Sequence, residues 1–193
     1  MNNEELIEAV CRVRKEEKHF FSPTAKPKRE RWVVREFLAN LSILASEDEL
    51  VSPPQDDDVD VIFDETHFQV TEITDADCRR SSEVLADLKR AESATRPEEL
   101  FDIPIARDIV WVDAYPLICD EASSRLYPLK SRSKLDLLFY ITRRHAFLDR
   151  SRQPNSLSSL GWRSISCLFS KHSYVLVAAT HAPSFLRDCY DRG

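Results

Sequence analysis

Three side chains in the stretch Val59–Ile73, VDVIFDETHFQVTEI, bear groups that could do chemistry on one surface: the carboxylate of Asp60, the amide of Gln69 and the hydroxyl of Thr71. All three carry oxygen donors of the type a hard cation takes. The stretch reads as two strands rich in Val, Ile and Phe around the turn residues Asp64, Glu65, Thr66 and His67. Pairing Phe63 with Phe68 places Ile62 opposite Gln69, Val61 opposite Val70 and Asp60 opposite Thr71, with a two-residue turn at Glu65 and Thr66. Side chains alternate with period two, so Asp60, Ile62, Gln69 and Thr71 share one face. Val61, Phe63, Phe68, Val70 and Glu72 form the other.

These residues must be carried by a fold of ordinary size. The chain has 193 residues, 42% hydrophobic and 31% charged, enough for one globular domain over 1–193 with an N-terminal helical segment at about 1–22. The spacing of Leu6, Ile7, Val10 and Val13 predicts an amphipathic helix to Phe20. A second helix is expected from near Pro27, with Trp32, Val33, Phe37, Leu38 and Leu41 at helical spacing. A short strand is read at Glu49 to Ser52, and a helix at Asp75 to Ser93 with Asp75 as its N-cap. The segment DIVWVDAYPLI stays ambiguous between strand and helix. Leu135 to Thr142, LDLLFYIT, has the continuous apolar character of a central strand. Residues 150–159 read as a loop, GWRSISCLF and SYVLVAAT as a second hairpin around Ser170 to Ser173, and a last helix begins near Pro183.

Several function classes are excluded by composition. A formal charge of −6 gives no global attraction to phosphate, so any contact with DNA or RNA must use a local basic patch. Two glycines, Gly161 and Gly193, are too few for a P-loop or a dinucleotide fingerprint. The five cysteines show no zinc-ligand spacing and read as reduced thiols. No leader-like or membrane-spanning run is seen, and the expected location is the cytoplasm, with no membrane partner.

The order helix, strand, hairpin, helix, buried strand resembles a restriction-endonuclease-like α/β core, and the hairpin resembles a PD-(D/E)xK motif. Asp60 stands at its acidic position and Gln69-Val70-Thr71 at the ExK position. RERWVVREFLANL, VDVIFDETHFQVTEI, GWRSIS and HAPSFLR further resemble blocks of a little-characterised bacterial family, a domain of unknown function labelled an endonuclease. The resemblance implies a nuclease-like protein acting on DNA or RNA through Mg²⁺. Asp60 and Gln69 would be metal ligands, the main-chain carbonyl of Val70 would help fill the octahedron, and Glu30 would be an auxiliary carboxylate. It implies the fold more strongly than the reaction, because Thr71 replaces the lysine that would stabilise charge in the transition state. Lys89, Lys134 and His67 are the candidates to replace that lysine, and Glu72 faces away in this register. The alternative is a catalytically inactive module of the same fold, serving as a protein-binding or regulatory protein. Nuclease-like folds often pair, so a homodimer is a second expected association.

The remaining candidates have plain readings. Glu30 lies in an alternating charge string typical of a solvated helix start. The basic clusters Arg79-Arg80, Lys89-Arg90, Lys130-Arg132-Lys134 and Arg143-Arg144 are most simply solvated faces. Trp162 and Arg163 suit an unpaired base, although a Trp after a Gly more often packs at a turn. His172 and His181 are too far apart in sequence to argue for a metal pair.

Overall fold

In a computed structural model, the hairpin forms with strands β1 (Val61–Phe63) and β2 (Thr66–Ile73). The structure describes residues 2–54, 57–74, 80–100, 109–124, 127–142, 146–147, 157–169 and 171–191. Asp75, Asp56, Arg79, Arg143-Arg144, Ser170 and most of the 150–159 loop lie outside them. The other described elements are helices α1 (Asn3–Phe20), α2 (Lys26–Asn40), α3 (Arg80–Ser93), α4 (Trp111–Ser124), α5 (Leu129–Arg132) and α6 (Ser184–Asp191), with strands β3 (Ile109–Val110), β4 (Asp136–Ile141), β5 (Ala146–Phe147), β6 (Ser164–Phe169) and β7 (His172–Ala178). The chain divides into two compact units, Met1–Arg29 with Thr74–Ala106, and Glu30–Ile73 with Arg107–Gly193.

In the first unit, α1 begins with a capping box: Asn2 accepts from the Glu5 amide, and the Glu5 side chain accepts from the Asn2 amide. It packs on α3, whose Val84, Leu88 and Ala91 are buried, and Arg14 reaches Asp87 at 3.8 Å.

The second unit is built on a five-stranded mixed sheet of order β1-β2-β4-β6-β7, with β2, β4 and β6 parallel and a hairpin at each edge. As its largely apolar sequence leads one to expect, β4 is central, and helices cover both of its faces. Val33, Val34, Phe37 and Leu38 of α2 and Leu186 of α6 pack with Val61, Phe68, Leu138 and Leu168 on one face. Tyr115, Ile118 and Ala122 of α4, with Leu157 and Trp162, pack with Leu137, Phe139, Ile165 and Cys167 on the other.

The hairpin register differs from the expected one by two residues. Val61 pairs with Phe68, Ile62 with His67 and Phe63 with Thr66, so the turn is Asp64-Glu65. Asp64 takes φ 49°, the left-handed conformation that tight hairpin turns demand and that Asp tolerates better than most residues. A slip of two leaves every side chain on its expected face. The strand read at Glu49 to Ser52 is instead a single 3₁₀ turn, Glu47–Glu49, followed by one bridge from Val51 to Ile62. The ambiguous DIVWVDAYPLI resolves into β3 and then α4, which holds Pro116 in its interior.

Candidate functional site: the hairpin carboxylate and its neighbours

Because the observed register continues Asp60 onto Gln69, these two side chains meet across the hairpin. Asp60 donates its main-chain N–H to the Phe68 carbonyl at 2.9 Å. Its Oδ2 accepts two N–H groups, from Gln69 Nε2 at 2.5 Å and from the Val70 main chain at 2.9 Å. On the other side of the amide, Gln69 Oε1 accepts from the Tyr127 hydroxyl at 2.8 Å. The direction of this relay is fixed at one end, since an ionised carboxylate can only accept. The amide must therefore turn its nitrogen toward Asp60 and its oxygen toward Tyr127.

Tyr127 is itself held in place. Its ring meets Trp162 edge-on at 5.7 Å, and its carbonyl accepts from Arg132 Nε at 2.9 Å. The Arg132 guanidinium lies 5.3 Å from the Trp162 ring centroid and donates also to the Leu160 carbonyl. Trp162 is buried, and its indole N–H donates to the Ala122 carbonyl at 3.1 Å. It serves as packing rather than as a stacking platform for a base.

The remaining motif positions fall elsewhere. Thr71 shares the face of Gln69, buried in register with Phe139. Val70 enters the cluster through its N–H. Glu30 is 7% exposed and continues the buried stripe of Val33, Val34, Phe37 and Leu38, which packs against the opposite face of the sheet from Gln69. The fold therefore joins Asp60 to Gln69 and leaves Glu30 on the other side. Of the lysine substitutes, His67 gives its main-chain N–H to Asp136, and Lys134 is exposed. Glu72 is exposed on the face turned away from Gln69 and accepts from the Thr142 hydroxyl at 3.2 Å.

A second carboxylate, overlooked in the sequence, occupies the start of β4. Asp136 is fully buried and is surrounded by donors: Arg163 Nε at 3.0 and 3.1 Å, Arg163 Nη2, the Ser164 hydroxyl at 2.8 Å and the His67 main-chain N–H at 3.0 Å. Arg163 Nη2 also donates to the Glu65 carbonyl in the hairpin turn at 3.0 Å. A charge taken wholly out of water needs such a set of partners. The signal was present in the sequence, because one Asp inside LDLLFYIT has to find a cation. Arg163 is thereby committed to Asp136 and to the hairpin turn.

Magnesium coordination requires oxygen lone pairs converging on one point. Asp60 has them, but the Gln69 atom beside it is an N–H donor, and its carbonyl oxygen already receives the Tyr127 hydroxyl. An N–H directed at the carboxylate also directs its positive end at any cation placed there. As arranged, the Asp60–Gln69 pair does not fit Mg²⁺. Among the described residues, no group of three or more His, Cys, Asp or Glu side chains is gathered so as to hold a metal ion.

Comparison with known proteins bears on the family and the fold. Residues 2–193 match a family described as "Putative endonuclease, protein of unknown function (DUF1780)". No curated protein shows significant similarity. A solved structure from Pseudomonas aeruginosa strain PAO1, described as a protein of unknown function of the monooxygenase superfamily, superimposes with a TM-score of 0.60 at 23% identity, covering 98% of this chain and 93% of that one. At that identity the likeness concerns the fold. Among the described residues, no helix is long and apolar enough to cross a membrane.

Proposed function

The chain belongs to the DUF1780 family of putative endonucleases, and on that premise we propose that it is a nuclease-like module whose D…QxT hairpin no longer performs metal chemistry. It would act instead as a protein-binding or regulatory protein. The observation that carries this reading is the orientation of the Gln69 amide, nitrogen toward Asp60 and oxygen toward Tyr127.

What the chain's own residues do there is hold position. Asp60 ties the start of β1 to β2, Gln69 passes that connection to Tyr127, and Tyr127 anchors both to the segment leading into β4. Thr71 adds no positive charge where phosphodiester cleavage would develop negative charge. A restriction-endonuclease-like ancestry accounts for an Asp and an amide at matching places in the hairpin. It does not require that the reaction be kept.

A second reading, a Mg²⁺-dependent endonuclease acting on DNA or RNA, is favoured by the family description together with the direct contact of Asp60 and Gln69. One experiment separates the two. Purified protein and Asp60→Ala are incubated with plasmid, single-stranded DNA and RNA in Mg²⁺ or Mn²⁺. The first reading expects no cleavage by either protein. Cleavage by the wild type that disappears in Asp60→Ala would establish the second.

A further inference from the structure

Helix α1 carries an apolar stripe, yet none of its 18 residues is buried. Within the first unit a groove of about 960 Å³ runs along it. Its apolar lining comes from Ile7, Cys11, Val13 and Phe20 of α1, together with Ala25 and Ala91. Val13 remains 48% exposed. Such a surface, apolar along its floor with charges at its edge, has the anatomy of an interface.

The edge charges show which partner fits. Glu8, Arg12 and Glu16 line the groove at successive i,i+4 positions, the spacing at which helical ion pairs normally close. Among the described residues, none of the three side chains makes a hydrogen bond or ion pair. Arg14 and Lys15, by contrast, are paired, Arg14 with Glu17 and Asp87 and Lys15 with Glu92. These three alternate acid, base, acid along the helix, in a chain whose net charge is −6. A uniformly charged partner would meet repulsion at one of these positions. The same alternation run antiparallel and shifted by one turn sets an acid against a base twice, Arg12 against Glu16 in each direction.

We propose that this groove receives α1 of a second copy of the chain, antiparallel, about a two-fold axis passing near position 14. Two-fold symmetry makes each contact occur twice. With the axis there, Arg12 of each copy faces Glu16 of the other, and Ile7 of each lies beside the Phe20–Phe21 end of the other. An axis at position 12 would set Arg12 against Arg12 and Glu8 against Glu16, which charge repulsion disfavours. The groove is built from residues of the first unit and the hairpin cluster from residues of the second, so this association holds or fails independently of the proposed function.

Sedimentation equilibrium on the full chain tests it. The expected result is a dimer that weakens at least about tenfold in Arg12→Glu and in Glu16→Arg, because each single reversal creates two like-charge contacts. The double variant Arg12→Glu with Glu16→Arg should regain the dimer, since the pairs re-form with their signs exchanged. Arg12 and Glu16 are both exposed, and far-UV circular dichroism checks that each variant keeps its fold. A monomeric wild type, a dimer indifferent to the single reversals, or a double variant no better than the singles would overturn the proposal.

Discussion

Asp60 and Gln69 meet across the β1–β2 hairpin, and the atom that Gln69 presents to the carboxylate is its amide nitrogen, at 2.5 Å. Gln69→Glu should turn that contact from attractive to repulsive. Two carboxylates in contact raise the pKa of one of them. A carboxyl raised above its unfolded value costs stability as pH increases, because the folded state then binds more protons than the unfolded state. The variant should therefore match the wild type in acid and fall below it from the ordinary carboxylate range upward, as urea denaturation at several pH values would show. The wild-type melting temperature should not respond to Mg²⁺, whereas Gln69→Glu, with a pair of oxygen ligands, should be stabilised by it. A wild-type response as large as the variant's would contradict the proposed arrangement.

Tyr127→Phe removes the donor to Gln69 Oε1 and leaves the ring in place against Trp162. Loss of one such hydrogen bond is expected to cost about 1 kcal/mol. In a double-mutant cycle with Gln69→Leu the two losses should be strongly non-additive, because both variants break the same bond. Additive losses in chemical denaturation would show that the relay is not coupled.

At Asp136, removing the cation that partners a fully buried carboxylate should be severe. Arg163→Met leaves the carboxylate with the Ser164 hydroxyl and one main-chain N–H, and a cost of roughly 3–5 kcal/mol is expected. Asp136→Leu combined with Arg163→Met should recover much of that loss, since no uncompensated charge remains. Equilibrium unfolding of the three proteins checks the order, and a double variant less stable than Arg163→Met would refute it.

Glu99 provides a pH marker in the first unit. Main-chain N–H donation from Thr95, followed by the Arg96 side chain, lowers its carboxyl pKa to about 2. A depressed carboxyl pKa supports the folded state above the unfolded value and loses that support as pH falls through the folded one. Carbon-detected NMR should find Glu99 titrating well below the ordinary carboxylate range, and Thr95→Pro, which deletes the first donor, should move it upward.

Much of this architecture was legible because apolar periodicity determines it. The run LDLLFYIT has the length and the apolar, aromatic character of a strand buried on both faces. The face shared by Asp60, Gln69 and Thr71 survived a two-residue error in register, since a slip of two restores parity. What could not be read was distance. Tyr127 lies 58 positions from Gln69 and Arg163 lies 27 from Asp136, and no local pattern links such partners. Glu30 was misleading for a related reason: its place in a charge string suggested solvent, while its step along α2 put it on the buried stripe.

The bond from Arg163 to the Glu65 carbonyl spans 98 positions of sequence and has a consequence for biosynthesis. On the ribosome, β1 and β2 are complete about ninety residues before the arginine that anchors their turn exists. Closing so long a loop is slow compared with forming a hairpin. The nascent hairpin must wait, free to sample the neighbouring register, until the C-terminal third arrives to pin it. Arrested nascent chains ending before and after Arg163 should differ sharply in protection of the β2 amides from hydrogen exchange, and equal protection would show that the turn alone determines the register.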